Sequence, residues 1–380
     1  MGVREVFEVL YSPVKAFKKI IEKPDFKGVL LILVLVIFSM VVVEYVAASK
    51  FLLETRMPDD DNWTELLSNQ HSWVSNGSPS LDDTDYKMGD TIGNHSVKSL
   101  VSNSTSIWIK IISINPIDCL EDNGYKELFF WIKWIQENES FPNSGATLKL
   151  FSGSENNYFE IDLAGLISTS SGEWNNATVP LGPESQGWDS TNADWKNITG
   201  LAFRLEWSTS TDLTMKIDGL YFRKYVSPLE TGAFGGAIIP ILMSAAVSFS
   251  MNWILWAGIL LVIIKVFREE VGPWTVFFVI VGHVFIVTAV HTIIGAVSLS
   301  TLPSLNLPLA DGAYFSLHEM LDPYLAYQVW LYLPLAGEVW TAVLCAIIIR
   351  LLRGITWGRA ASISLAAFVL RFVLRFFFGV

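Results

Sequence analysis

Charge is scarce in this chain and unevenly placed. Asp, Glu, Lys and Arg make up 17% of the 380 residues, and several long stretches hold almost none of them. That excludes, for much of the chain, a soluble fold with the usual complement of about one charged residue in four. Cysteine is scarcer still. Cys119 lies in an acidic middle region and Cys345 inside a late apolar run, so the two are expected in different phases and a disulfide framework is excluded. The five histidines, His71, His95, His283, His291 and His318, form neither a HExxH nor an HxH pattern. There is no Walker loop, no dinucleotide fingerprint and no GxSxG elbow. No catalytic, cofactor-binding or metal-binding constellation is expected, and the chain reads as non-enzymatic. The acidic balance, 37 Asp and Glu against 26 Lys and Arg, disfavours nucleic acid as a partner, since affinity for phosphates comes mainly from clustered Lys and Arg. Met1-Gly2 opens the chain, but Val6 stands where a myristoylation signal needs Ser or Thr.

What is present is a division into two kinds of sequence. Between Glu54 and Val226 there are 25 acidic and 12 basic residues, a net of −13, against −11 for the whole chain. The acidity therefore belongs to one region. Elsewhere five apolar runs are long enough to cross a bilayer, which takes about 20 residues of helix. Val29–Ser49 is interrupted only by Glu44, Thr231–Ile264 has no charge, and Pro273–Ser298 holds only His283 and His291. Pro323–Ile349 holds only Glu338, and Ala360–Val380 holds Arg371 and Arg375. Gly232, Gly235, Gly236 and Pro240 break the second run, so an interfacial or re-entrant entry and a helix from about Ser244 to Val266 are expected.

Lys and Arg fix the orientation, because short cytoplasmic loops are enriched in them. They precede the first run, as Arg4, Lys15, Lys18, Lys19, Lys23 and Lys27, and join runs two to three and four to five, whereas Ser300–Asp322 has none. The expected topology has the N-terminus in the cytoplasm and residues 54–226 and the C-terminus outside. The first run is read as uncleaved, because no small-residue cleavage pattern follows it before Lys50. Residues 1–28 are read as a basic amphipathic helix starting at Ser12-Pro13, with Val14, Phe17, Ile20 and Ile21 opposite Lys15, Lys18, Lys19 and Lys23. Such a face suits an anionic inner leaflet, or serves as plain positive-inside anchoring.

The middle region alternates. Ser106–Ile111, Leu128–Trp134, Ala146–Leu150, Tyr158–Leu163, Thr178–Leu181, Leu201–Trp207 and Leu213–Phe222 read as strands separated by Gly, Asn, Ser and Pro clusters. This predicts a multi-domain membrane protein, a five-helix transmembrane bundle (span one at 29–53, the others in 227–380) with an all-β, jelly-roll-like sandwich at 54–226. Seven Asn-X-Ser/Thr sequons, at Asn62, Asn76, Asn94, Asn103, Asn138, Asn176 and Asn197, all fall in that middle region. Their confinement supports an extracytoplasmic glycoprotein from an organism that N-glycosylates, such as an archaeon or a eukaryote.

Trp174 followed by Val179-Pro180-Leu181, Trp188, the run Asp194 to Phe203, and Ile217-Asp218-Gly219-Leu220-Tyr221-Phe222 together resemble the galactose-binding-like jelly rolls used as carbohydrate-binding modules. The resemblance implies sugar stacking on exposed members of Trp174, Trp188, Trp195 and Trp207, although Trp on sandwich strands is more often core. The helical remainder, from Ser12-Pro13-Val14-Lys15-Ala16-Phe17-Lys18-Lys19-Ile20 to Leu351-Leu352-Arg353-Gly354-Ile355-Thr356-Trp357-Gly358-Arg359-Ala360, resembles the Yip (Ypt/Rab-interacting protein) five-span domains. That resemblance implies membrane trafficking, membrane-protein partners and association with small GTPases.

Ionisable residues are expensive inside a bilayer. Glu338 is twelve residues before Arg350 and Arg371 twelve after Arg359, which puts both about 18 Å from the inner edge on neighbouring antiparallel helices. A polar cluster of Glu338, Arg371, Arg375, Glu44 and His283 is expected, either as a packing ion pair, as a polar pathway or pocket, or with its arginines snorkelling to the interface. The leading functional expectation is a membrane-anchored protein whose sandwich binds glycans or cell-surface proteins. The alternative is a transporter or lipid-handling protein working through the Glu/Arg cluster, with the lipid bilayer as partner in both cases.

Overall fold

The computed structural model describes the chain except for residues 1–2, 66–71, 88–92, 121–122, 138–140, 168–169, 270–271, 309–312 and 379–380. The side chains of 72, 313–316 and 375–378 are likewise outside the description. The chain divides into two compact units, Met1–Leu52, Ser227–Leu305 and Phe315–Val380 in one, Leu53–Val226 and Asn306–Tyr314 in the other.

The helical unit begins with α1 (Val3–Tyr11), α2 (Pro13–Glu22) and α3 (Phe26–Lys50). Pro13 fits the first turn of α2, where its missing N–H costs nothing. Asp25 caps α3 by accepting from the Lys27 backbone N–H at 2.9 Å. Where one helix is expected there are two, and the expected apolar stripe divides: Phe17 and Ile20 are packed in the core of the unit and Ile21 lies against it, whereas Val14 is 41% exposed. The basic face is partly used up as well. Glu8 of α1 is buried and receives Lys19 at 2.6 Å and Lys15 at 3.4 Å, and the hydrogen bond from Lys19 holds its carboxyl below the usual range.

The second unit is built on β1 (Phe51–Met57), the single turn α4 (Asn62–Glu65), β2 (Ser72–Ser75), β3 (Ser80–Asp82) and β4 (Ser96–Ile117). It continues with β5 (Glu127–Gln136), β6 (Gly145–Ser152), β7 (Ser154–Asp162), β8 (Asn175–Pro180), β9 (Asp189–Thr191) and β10 (Ile198–Val226). All these pairings are antiparallel. The long strands β4 and β10 belong to two layers at once. Their first layer runs β3–β4–β10–β5–β8, using Val97–Val101 and Leu213–Ile217. The other runs β2–β4–β10–β6–β7–β9, using Ile107–Ile112 and Gly200–Leu205. Strict alternation builds the core between them: Leu128, Phe130, Ile132 and Trp134 of β5 are fully buried, and Phe130 meets Phe203 of β10 at 4.7 Å between centroids. Each such side chain contributes about 1.5–3 kcal/mol by burial. Cys119 also lies in this core, and burial pushes its thiol up to about 12, which keeps it unreactive.

The two strands expected at Leu201–Trp207 and Leu213–Phe222 are one. The Ser-Thr run between them, which reads as a turn, stays extended: register shifts flank Thr211, which pairs with Ser104, and let β10 bend from one layer to the other.

The helical unit resumes with α5 (Ala233–Val266), α6 (Trp274–Val284), α7 (Ile286–Ser300), α8 (Ala313–Leu321), α9 (Leu325–Arg353) and α10 (Trp357–Phe378). Among the described residues five stretches, with α6 and α7 counted as one, are long and apolar enough to cross a membrane. The separate entry expected before Ser244 is absent. Residues 233–266 form one helix with Pro240 inside it, because a single missing N–H interrupts the ladder less than an unwound apolar segment would. Gly354 ends α9 at φ +63°, a left-handed cap that favours glycine.

Candidate functional site

Helices α3, α7, α9, α10 and α5 pack in that order into a closed ring, with α5 returning to α3. One end of the ring is dry: Ile32, Leu260, Ile264, Ile280, Leu344 and Ile348 fill it. Beyond them lies a cavity of about 650 Å³ to which all five helices contribute. Its polar lining includes Glu44 of α3, Asn252 of α5, His291 of α7, Glu338 of α9 and Arg371 of α10.

Arg371 organises this lining. Its Nη2 donates to Asn252 Oδ1 at 2.8 Å and stands 3.9 Å from Glu338 Oε1, and its guanidinium lies 5.0 Å from the Trp256 ring centroid. Both charged side chains are about one-sixth exposed, 14% for Arg371 and 17% for Glu338. A contact at 3.9 Å is an ion pair without being a hydrogen bond. Glu44 lines the same space, whereas the side chain of Arg375 lies outside the described residues.

His283, expected in this cluster, is elsewhere. It is fully buried, its Nδ1 is 2.7 Å from the Val279 carbonyl, and it abuts Gly28 in the first turn of α3. Glu44 is sixteen residues further along that helix, about 24 Å away. His291 takes its place: its Nδ1 is buried with no hydrogen-bond partner among the described residues and lies against Gly337. The eight-residue step from His283 to His291 was legible in the sequence; the depth of Pro273 relative to α3 was not.

In the β unit the four tryptophans part company. Trp195 is 7% exposed and stacks on Phe159 at 3.8 Å and 12°, and Trp207 is 3% exposed. Both are core, which corrects the expectation that they could be sugar platforms: they lie on inward-facing positions that the sandwich needs to fill. Trp188 is half-buried, edge-on to Trp195, and donates Nε1–H to the Pro180 carbonyl at 2.9 Å. Trp174 is half-buried and donates to Asp85 Oδ1 at 3.0 Å.

A face missed by the sequence reading carries more. In the second layer Ile107, Ile109 and Ile111 point into the core, so Trp108 and Lys110 point out, and Trp108 stands in register with Arg204 and Lys110 with Ala202. Ala202 in turn faces Lys149, which faces Glu160, and Phe151 faces Tyr158. The outward side chains form ion pairs, Lys110–Glu155 at 2.6 Å, Lys149–Glu160 at 3.1 Å and Arg204–Glu206 at 2.5 Å. Trp108 and Tyr158 are half-exposed among them. The alternation around Trp108 was the signal that could have found this face.

Thr64 of α4 and Asp82, Asp85 and Lys87 meet side chains of β10 in the first layer. Lys216 binds Asp82 at 2.8 Å and Asp85 at 2.5 Å; burial pushes both carboxyls up, but the hydrogen bonds from Lys216 outweigh it and hold them below the usual range. Asp61 and Asp218 behave oppositely. Thr64 Oγ1 donates to Asp61 and lies 3.5 Å from Asp218 Oδ1, and the backbone N–H of Lys87 donates to Asp218 at 2.6 Å. Burial pushes Asp61 up to about 9 and Asp218 up to about 7. Among the described residues no group of three or more His, Cys, Asp or Glu is placed to hold a metal ion. Of the sequons, Asn62, Asn76, Asn94, Asn103 and Asn176 are exposed and Asn197 half-exposed, whereas Asn138 lies outside the described residues.

No protein-family model and no curated protein matches the chain, so the resemblance to the Yip domains finds no support there. Solved structures do match. An exo-β-agarase aligns at 13% identity and a TM-score of 0.33 over 44% of this chain, which spans 24% of the agarase. A family 11 carbohydrate-binding module from Clostridium thermocellum aligns at 13% identity and 0.27, covering 46% of this chain and 95% of the module. A β-1,2-glucanase from Parabacteroides distasonis aligns at 11% identity and 0.28, over 40% of this chain and 22% of the glucanase. The expectation that the chain is no enzyme is withdrawn, because two agarases and a glucanase stand among the matched structures, each at a TM-score of 0.28–0.33. The matched structures thus include carbohydrate-binding β-sandwiches, alongside the five apolar helices of this chain.

Proposed function

We propose that this is an integral membrane protein whose β-sandwich, held outside the cytoplasm, binds glycans, while its five long helices hold it in the bilayer. The observation that carries the glycan reading is the outward face of the second layer, where Trp108 and Tyr158 stand among Lys110, Lys149, Glu160 and Arg204. Sugars offer apolar C–H faces and hydroxyl edges, and a flat sheet with aromatic rings beside charged hydrogen-bonding groups meets both. The bilayer reading is supported by the length and apolarity of the helices and by Lys and Arg gathered at one set of their ends.

Binding of the full chain in lipid nanodiscs to a glycan array tests the first part. Retained glycans that are lost in Trp108→Ala but not in Trp188→Ala are expected. An array on which nothing is retained, or on which Trp108→Ala changes nothing, would remove this face from consideration. The orientation is checked by placing a cysteine at Ser78 and labelling intact cells with an impermeant thiol reagent, which must react there.

The ring cavity favours a second role for the same chain, handling of a ligand within the helical unit. Polar groups from all five ring helices converge on a volume in the range of small-molecule sites, about 300–1,000 Å³.

A further inference from the structure

The lining of the ring cavity is mixed in sign. Arg371 supplies a positive charge and Glu338, 3.9 Å away, a negative one, while Glu44 adds a second carboxylate from α3. A ligand carrying one sign of charge meets its own sign here at close range, which is unfavourable in a low-dielectric surrounding. A ligand carrying both signs can set its anion on Arg371 and its cation toward the carboxylates. Asn252 accepts from Arg371 through Oδ1 and donates Nδ2–H to the Ser248 carbonyl at 2.8 Å, which holds the guanidinium toward this space.

The rim of the cavity is of another character. Trp330, Leu331, Leu335 and Phe372 line it and are 38–54% exposed. On α10, beside Phe372, a second depression of about 530 Å³ is lined only by Ser362, Leu365, Ala366, Val369, Leu370 and Val373. A polar chamber, an apolar rim and an apolar groove on one wall match the three parts of an amphiphile better than those of a soluble solute.

We propose that this cavity holds the head group of a zwitterionic amphiphile, one amine and one phosphate or carboxylate, with the apolar chain lying over the rim and along α10. The inference rests on the helices being membrane spans, a point that flotation of the unaltered protein with liposomes reports separately. Arg371 is then the anion-binding group, Glu338 the amine-binding group, and Asn252 a positioning residue that aims the guanidinium.

The test uses the full chain in detergent with radiolabelled dioleoyl phosphatidylethanolamine. Retention is expected, and Glu338→Gln and Arg371→Gln are each expected to weaken it about tenfold or more, as truncating one partner of a desolvated charge pair does. Competition by unlabelled lipid is expected from phosphatidylethanolamine. Equal competition from an anionic phosphatidylglycerol or from a cationic trimethylammonium lipid overturns the mixed-charge reading. Free phosphoethanolamine competing as well as the lipid overturns the amphiphile reading and leaves a soluble zwitterion. Because the charge variants could misfold, a second readout uses Thr292→Cys, a half-buried cavity-lining position in a chain whose own two cysteines are buried. Phosphatidylethanolamine must slow the reaction of that thiol with a methanethiosulfonate reagent; an unchanged rate overturns the proposal.

Discussion

Arg371 and Glu338 stand 3.9 Å apart on neighbouring helices and face one cavity, with Asn252 of a third helix completing the group at 2.8 Å from the guanidinium. Removing one charge leaves the other in surroundings that solvate it poorly. Glu338→Gln and Arg371→Gln are each expected to lower stability by roughly 3 kcal/mol. The exchange Glu338→Arg with Arg371→Glu is expected to recover part of that loss. Thermal unfolding of the four proteins in one detergent measures this, and an exchanged protein no more stable than the single variants would show that the pair does not act as a unit.

Helix crossings in the helical unit depend on glycine at two places where a histidine lies against the backbone. A Cβ at Gly28 would stand 2.2 Å from His283 Nε2, and one at Gly337 would stand 2.4 Å from His291 Nδ1. Both rings would have to move, and His283 is fully buried with no free space to enter. Gly28→Ala and Gly337→Ala are each expected to cost about 1–3 kcal/mol, whereas Gly258→Ala, where nothing stands within 4 Å, is expected to be neutral or better. Comparing the melting temperatures of the three variants checks this.

Much of this architecture was written in the periodicity. Leu128 to Trp134 alternates so strictly that its inward and outward faces follow from the sequence, and twelve-residue counts from Arg350 and Arg359 put Glu338 and Arg371 on one level. The losses have definite causes. Strands β2, β3 and β9 have three or four residues, too few for alternation to show. The bend of β10 at Ser208–Asp212 reads as a turn because Ser and Thr serve both as bulge and as loop residues. His283 was misplaced because counting residues from one helix end assumes that all helices start at the same depth. Trp195 and Trp207 were misjudged because a tryptophan on a strand looks the same in sequence whether it faces Phe159 or water.

The distinction between those tryptophans is itself measurable. Trp195→Ala removes a ring stacked at 3.8 Å on Phe159 and opens a cavity in the core, which costs about 3–5 kcal/mol. Trp108→Ala removes a half-exposed ring from an outward position and is expected to change stability by less than about 1 kcal/mol. Chemical denaturation followed by the loss of β-sheet circular dichroism separates the two. A loss of equal size for Trp108→Ala would show that its face is packed rather than open.

Asp61 gives the β unit a pH dependence of unusual sign. Burial raises its carboxyl from 3.8 to about 9, and that of its neighbour Asp218 to about 7, so the folded protein holds protons that the unfolded chain has released. Stability contributed by these groups is full below 3.8 and falls as pH rises toward about 9, the reverse of a carboxylate held by a lysine. Asp82, held low by Lys216 and Thr84 against its burial, has the ordinary sign and loses its contribution only in acid. Between pH 6 and about 9 the Asp61 and Asp218 pair should therefore dominate, loosening the segment that Thr64 and Lys87 fasten onto β10. Hydrogen exchange at the Lys87 and Gly219 amides, both donors to Asp218, is expected to speed up across that range by more than the intrinsic base catalysis of exchange. Asp61→Asn, which keeps the shape and cannot ionise, is expected to reduce the excess, and Asp61→Asn with Asp218→Asn to abolish it. Exchange that follows the intrinsic rate alone in the unaltered chain would mean that the pair stays closed whatever its charge.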